Sequence, residues 1–317
     1  MEQRRDSAAR FKVGPAFAGY RLDQFLQRMI PKLSRTRIQH AIEERVRLSW
    51  EAPVKPSTPV REGGIVIVDD PAVNEETIPF DPDILYEDDD LLAIDKPAGL
   101  VVHPTHSHYR NTVITLLRQR RGEPELTLAH RLDAETSGAL LLGKHTWAAR
   151  KVQTSFERGR VEKTYLALVF GEPADDTFAI DLPLAAVTRD QFVYRQGGHE
   201  AGRPSETHVE VLRRLGRASL VRVTPKTGRR HQIRAHMAHA GYPIIGDKLY
   251  VLDDRAYRHY LKLGALDDEL RAKLAADRLM LHSHRIALPA PREPARRLEI
   301  VAPLPAEFSA WMEGVSP

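Results

Sequence analysis

Residues 130–138 read His-Arg-Leu-Asp-Ala-Glu-Thr-Ser-Gly and run directly into the apolar stretch Ala139-Leu140-Leu141-Leu142, closed by Gly143. Upstream, Leu126-Thr127-Leu128-Ala129 alternates apolar and small polar residues. Two short strands are therefore expected to flank a loop that displays Arg131 and Asp133, which sets a carboxylate at a strand end. The residues alone allow two readings of that loop. Asp133 and Ser137 can satisfy loop amides while Gly138 supplies an unusual backbone angle and Arg131 is solvated. Alternatively, the charged pair is displayed for chemistry.

Cysteine is absent from the 317 residues, which excludes disulfides, thiolate metal sites and cysteine nucleophiles. Any covalent chemistry must use oxygen or nitrogen. The length suggests one or two domains, and 42% hydrophobic with 28% charged residues is an ordinary soluble composition. No apolar run approaches the roughly 18 residues of a membrane span. The charged start, Met1-Glu2-Gln3-Arg4-Arg5-Asp6, has no apolar region behind it, so a secretory signal is not expected and cytoplasmic residence is. The formal net charge of +4 permits a nucleic-acid partner, and its distribution says more. The first 50 residues hold 11 Lys and Arg against 5 Asp and Glu, whereas Asp81 to Asp95 holds seven acids and no base.

Leu22, Phe25, Leu26 and Met29 recur at helical spacing, and Ser34 is placed to cap a second helix whose apolar face carries Ile38, Ala41 and Ile42. The valine-rich run after Gly64 reads as a strand. Arg35 and Arg37, beside the second helix start, read either as a solvated face or as phosphate contacts. Residues 71–82 carry three prolines and three acids and read as a linker between domains. Beyond it, Ile84–Glu87 and Leu91–Asp95 are expected to be short strands around an acidic turn. Lys96-Pro97-Ala98-Gly99 should turn the chain into a further strand at Val101 and Val102.

Thr146 is placed to cap a helix bearing Ala149, Val152 and Phe156 and ended by Gly159. In the strand expected at Lys163–Phe170, Tyr165, Ala167 and Val169 share a face, where a tyrosine reads first as a core residue with a satisfied hydroxyl. Thr207–Leu215 and Ser219–Thr224 alternate around Gly216 as a hairpin. It feeds a helix expected to begin near Thr227, with Ile233, Met237 and Ala240 on one face and Gly241 as its stop. Arg230 and Arg234 fall on another face, expected to point away from the core. His231, His236 and His239 spread around that helix rather than sharing the i, i+4 face that zinc helices use, so no metal is expected. Asp253–Arg278 reads as a charged helical insertion, and Leu281–His284 as a closing core strand.

The pattern His-Arg-Leu-Asp-x-x-Thr-Ser-Gly resembles the signature of the RluA-type pseudouridine synthases. Lys96–Pro104 resembles that family's first motif, Lys163-Thr164-Tyr165 its second, and Thr227–His236 with Gly241–Asp247 its third, in the family's order over about 150 residues. The resemblance implies that Asp133 is the catalytic carboxylate, that Tyr165 stacks on the target uracil beside it, and that Arg234 pairs with it. It also implies substrate contacts from Arg131, His130, Thr136, Arg229, His231 and Gln232. Residues 1–70 resemble the small α/β S-four-like RNA-binding domain of such enzymes, with Arg35 and Arg37 on phosphates. The implied fold is α+β: that domain, the 71–82 linker, and a catalytic domain at 83–317 with a mixed, mostly antiparallel central sheet flanked by helices. Two departures stand out. Val46–Val54 occupies the place of the family's short Val-x-Val-Asn-Gly hairpin, and Arg230 stands where Thr is common.

The chemistry implied is the isomerisation of uridine, which breaks the bond from sugar to uracil nitrogen, turns the base and joins the sugar to C5. No redox change, cofactor or metal is required. One ionised carboxylate can begin, either by adding to the anomeric carbon or by removing the ribose 2′ proton to give a glycal. A paired guanidinium, here Arg234, orients such a group and favours its charged form. Extruding the base leaves a gap in the stack, which Arg131 would fill. A glycoside hydrolase would need a second carboxylate, and Glu135, the nearest, is expected to point elsewhere. The competing expectations are a non-catalytic RNA-binding protein on a decayed fold, and a metal hydrolase or base-removing glycosidase. Intact Asp133, Tyr165 and Arg234 argue against the first, histidine spacing and the single carboxylate against the second. The expected partner is RNA, ribosomal before transfer, bound by a monomer without cofactor, metal or membrane.

Overall fold

The computed structural model describes residues 8–30, 33–69, 78–105, 110–188 and 194–314. The chain divides into two compact units, one of Met1–Thr77 with Thr105–Arg110, the other of Ile78–Pro104 with Asn111–Pro317. Most of the expected linker, residues 70–77, lies outside the described residues.

The first unit contains β1 (Ala9–Lys12), α1 (Leu22–Met29), α2 (Arg35–Arg45), β2 (Val46–Leu48) and β3 (Ile65–Val68), with an antiparallel sheet in the order β1-β3-β2. Leu22, Phe25 and Leu26 of α1 and Ile38 and Ile42 of α2 are all but fully buried against Val66. Each such side chain contributes about 1.5–3 kcal/mol by leaving water, and together they fix the two helices on the sheet. Ser34 caps α2 through the Arg37 amide. Arg35 and Arg37 lie exposed on its first turn.

In the second unit the elements follow as β4 (Ile84–Glu87), β5 (Leu91–Lys96), α3 (Val113–Arg121), β6 (Thr127–Leu128), β7 (Ser137–Gly143), α4 (Thr146–Glu157) and β8 (Glu162–Phe170). Then come β9 (Thr177–Asp181), β10 (Leu184–Thr188), β11 (Tyr194–Gly198), β12 (Glu206–Arg214), β13 (Ala218–Pro225) and α5 (Gln232–His239). The unit ends with α6 (Asp254–Leu263), α7 (Asp268–Leu274), β14 (Leu281–Pro289), β15 (Arg297–Val301) and α8 (Ala306–Met312). Its main sheet runs β4-β5-β7-β14-β8-β13-β12-β9, with β15 added to β14 and β6 to β7. Among the described strands only β7 and β14 pair in parallel, so the sheet is mixed and mostly antiparallel. The apolar run of β7 is buried throughout because both faces of the sheet are covered. Leu140 and Leu142 meet Leu116 and Leu117 of α3, while Ala139 and Leu141 face the side of Val152 on α4.

Several local expectations need correction. Val101 and Val102 form no strand; their carbonyls instead accept from the amides of Val113 and Ile114 and seat the start of α3. That helix has its own signals, a Thr112 cap and a left-handed Gly122 at its end. Thr146 is the first residue of α4 rather than its cap, the cap position being His145. The helix expected near Thr227 begins at Gln232, because the chain takes a left-handed turn at His231 (φ 52°). The charged insertion folds into α6 and α7, capped by Asp253 and Asp267, and buries Leu252, Ala256, Leu270 and Leu274 between them.

Candidate active site

The loop from His130 to Thr136 is held at both ends. Where β6 stops, the His130 ring takes over the ladder, its Nε2 accepting from the Leu141 amide at 3.0 Å with Phe156 packed 5.0 Å away. Burial, reinforced by Lys163, pushes the His130 pKa down to about 3, which keeps that nitrogen an acceptor. At the other end Gly138 adopts φ +105°, and a Cβ there would stand 2.3 Å from the Ser283 carbonyl oxygen of β14. Only glycine allows both the angle and the approach. Between these anchors, the Ala134 carbonyl accepts from the Gly99 amide and from the Nζ of fully buried Lys96, both at 2.8 Å. What remains free to project is Asp133.

Asp133 meets Arg234 across the site, Nη1 donating to Oδ2 at 3.0 Å. Contrary to the expectation of an outward basic face, Arg234 is buried, and its direction comes from an acid that sequence reasoning passed over. The Asp247 carboxylate, 0% exposed, accepts from Arg234 Nε at 2.7 Å and Nη2 at 2.8 Å, so that only Nη1 is left to reach Asp133. Asp247 is itself fixed by the amides of Leu249 and Tyr250, and the Tyr250 ring lies 5.3 Å from the guanidinium carbon. Burial alone would lower the Arg234 pKa, but the charges and hydrogen bonds of Asp247 and Asp133 outweigh it and raise the value above the ordinary one. Gly246, at φ +77°, brings the Asp247 turn so close that a Cβ would stand 1.7 Å from the Arg278 carbonyl oxygen. The signal that could have found Asp247 was the Gly-Asp pair after Ile245, once buried Arg234 was seen to need a second acid.

A cavity of about 600 Å³ opens in front of this pair, within the range of pockets that take small ligands. Asp133, Tyr165, Arg131, Thr136, Arg229 and His231 all line it, and so does Lys163, the first residue of the Lys-x-Tyr motif, to which the sequence assigned no role. Half-buried Tyr165 has its hydroxyl pushed up to about 12 by burial and then by the charge of Asp133, so it stays protonated at neutral pH. His231 Nε2 lies 3.8 Å from Asp133 Oδ2, too far for a hydrogen bond, and burial draws its pKa down to about 4, so the ring is neutral. Arg131 is exposed at the rim and Thr136 is buried at the wall.

Gln232 also lines the cavity, with its polar atoms turned to the protein. Oε1 accepts from Thr227 Oγ1 and the Arg229 amide, and Nε2 donates to the Glu206 carbonyl and Thr207 Oγ1, which commits all four of its hydrogen bonds to the protein. Glu135 pairs with Lys248 at 2.7 Å, away from this cavity. His236 is tied to Thr207 and to the Leu182 carbonyl, and among the described residues no group of three or more His, Cys, Asp or Glu is arranged to hold a metal ion. Arg35 and Arg37 belong to the other unit.

The fold recurs in solved structures. The human RNA pseudouridylate synthase domain containing 4 is 27% identical, with a TM-score of 0.57 over 73% of this chain and 92% of that one. A family model described as RNA pseudouridylate synthase matches residues 90–239, which span the loop, β8 and α5. An uncharacterized RNA pseudouridine synthase of Chloroflexus aurantiacus is 36% identical over 305 residues, 93% of this chain and 90% of that protein. Ribosomal large subunit pseudouridine synthase D of Nitrosomonas europaea is 33% identical over 260 residues, 78% of this chain and 74% of its own. The chain belongs to the RNA pseudouridine synthase family, and it is an isomerase that acts on RNA.

Proposed function

We propose that this enzyme converts uridine in ribosomal RNA to pseudouridine, with Asp133 as the carboxylate that begins the reaction. One observation carries the assignment. Arg234 holds Asp133 Oδ2, whereas among the described residues Oδ1 has no hydrogen-bond partner, so the carboxylate is aimed by one oxygen and reactive at the other. From Oδ1 the reaction starts either by addition to C1′ or by removal of the 2′ proton. In both routes the N1–C1′ bond breaks, C5 bonds to C1′ as Asp133 leaves that carbon or returns the 2′ proton, the proton on C5 is lost and N1 takes one from water. The Tyr165 ring stacks on the uracil, and its protonated hydroxyl relays the C5 proton by accepting it while passing its own to water. Arg131, exposed beside the carboxylate, fills the gap left by the extruded base, whose unstacking costs a few kcal/mol. No metal or organic cofactor is needed at any step.

The ribosomal substrate is inferred from the relative of Nitrosomonas europaea and implies a cytoplasmic enzyme. Mapping pseudouridine in cells with and without the gene is expected to show at least one uridine of ribosomal RNA left unmodified when it is missing. Losses confined to transfer RNA would reassign the target.

We further infer that the first unit is the S-four-like RNA-binding domain, with Arg35 and Arg37 on phosphates. Both are exposed at the start of α2, where the backbone amides also favour anions. Changing both to Gln in the full chain should flatten the salt dependence of RNA binding by about 0.7 log units for each single-strand phosphate no longer neutralised. An unchanged slope would make them a solvated face.

A further inference from the structure

The cations around the reaction site differ in one respect, namely whether an acid answers them. Arg234 has Asp247 and Asp133, and Lys248 has Glu135. Lys163, on β8 in the cavity wall, has none: its Nζ donates to the Thr227 carbonyl at 2.9 Å, and among the described residues no carboxylate lies within ion-pair distance. Arg229 likewise has no carboxylate within ion-pair distance among the described residues, its Nε donating to the Pro204 carbonyl at 3.1 Å. Burial draws the Lys163 pKa down to about 8, and no neighbouring acid offsets the fall. A partly buried ammonium held without a counter-charge is costly, and an anionic ligand would remove that cost.

The geometry also places the ammonium beside the turn that carries Arg229. Gly228 follows the carbonyl that Lys163 holds, and a Cβ at Gly228 would have no neighbour within 4 Å except Lys163 Nζ at 3.8 Å. The turn that carries Arg229 therefore passes directly beside the lysine head, which brings Lys163 and Arg229 to one stretch of the wall. Asp133, which also lines the cavity, repels anions, so a ligand with one anionic and one neutral part enters with its anionic part toward Lys163 and Arg229. A nucleotide within RNA has that form.

We propose that Lys163 and Arg229 form a subsite for the phosphodiester that adjoins the extruded uridine. Lys163 supplies a compact charge, and Arg229 a planar fork suited to two phosphate oxygens. This rests on the reading that the cavity receives the target uridine.

The test uses a stem-loop RNA turned over by the full-length enzyme, and two copies of it in which the 5′ or the 3′ phosphate of the target uridine is a neutral methylphosphonate. Wild type is expected to bind one of the two about tenfold or more weakly than the natural RNA, the scale of a charged hydrogen bond. Lys163→Met should bind the natural RNA with part of that loss and should lose less than wild type does on that methylphosphonate, because only the Arg229 contact then remains to be removed. Lys163→Arg should keep most of the discrimination. Independent, multiplying losses would overturn the subsite, as would natural affinity in Lys163→Met. Should that variant fail to fold, the two modified RNAs on wild type still decide, since equal affinity for all three RNAs also overturns it. Failure of wild type to convert the natural uridine would instead refute the assigned reaction, a separate outcome.

Discussion

The Asp133→Asn variant is expected to bind its RNA at near wild-type strength and to release no tritium from C5-labelled uridine. Asparagine preserves shape, so the loop anchors at His130, Ala134 and Gly138 are untouched. The charge balance behind the loop also survives. Arg234 and Asp247 are a neutral buried pair, and Asp133 is the additional negative charge, half-exposed in the cavity. Removing it leaves no buried ion uncompensated, so fold and affinity should hold while the reaction loses the oxygen that starts it. Normal tritium release by this variant would refute the assignment. In the same assay Tyr165→Phe should fall by about 10²–10⁴-fold, the usual scale of a proton-transfer group, with little change in thermal stability. Loss of stability with full turnover would instead make the tyrosine a core residue.

Asp247→Ala should be the most damaging single change to the second unit, although Asp247 touches no substrate. It leaves the buried Arg234 guanidinium with only Asp133 and strips the amides of Leu249 and Tyr250 of their acceptor. Breaking a buried pair on one side costs about 3–5 kcal/mol, and turnover should fall with it because nothing then directs Nη1. Adding Arg234→Met should restore part of the stability and none of the activity, the two amides remaining unsatisfied. Chemical denaturation distinguishes these outcomes, and a loss below about 1 kcal/mol for the single variant, the level of an exposed ion pair, would show that Asp247 is not what anchors Arg234.

What could be read in advance was local pattern. Alternation around Gly216, the Ser34 cap and the apolar run after Gly138 each depend on neighbours in sequence, and each element formed where its residues predicted. What could not be read depends on partners far along the chain. Arg234 looks like a surface cation on a helical wheel, and only the fold brings Asp247 and Asp133 to it from opposite directions. Gln232 sits in a motif that suggests ligand contact, yet the hairpin supplies partners for all of its polar atoms. Lys163 was legible only as the first residue of the Lys-x-Tyr motif and without a role of its own, since nothing nearby in sequence tells whether an acid will face it. Helix α3 went unread because Val113-Ile114-Thr115 is β-branched and strand-like, although Thr112 and Gly122 mark both of its ends.

Strand β14 sits in the middle of the sheet, between β7 and β8, yet it follows both in the chain, with β9 to β13 made before it. Until it exists, β7 and β8 are open edges, and the end of the Asp133 loop, where Gly138 and Ser137 dock on Ser283 and His282, has nothing to rest against. Contacts that span about 145 residues are slow to close and cannot form cotranslationally in the order of the chain. The nascent chain therefore has no assembled site until β14 has been made. A ribosome making this protein cannot have its own RNA modified by the chain still attached to it before β14 has been added.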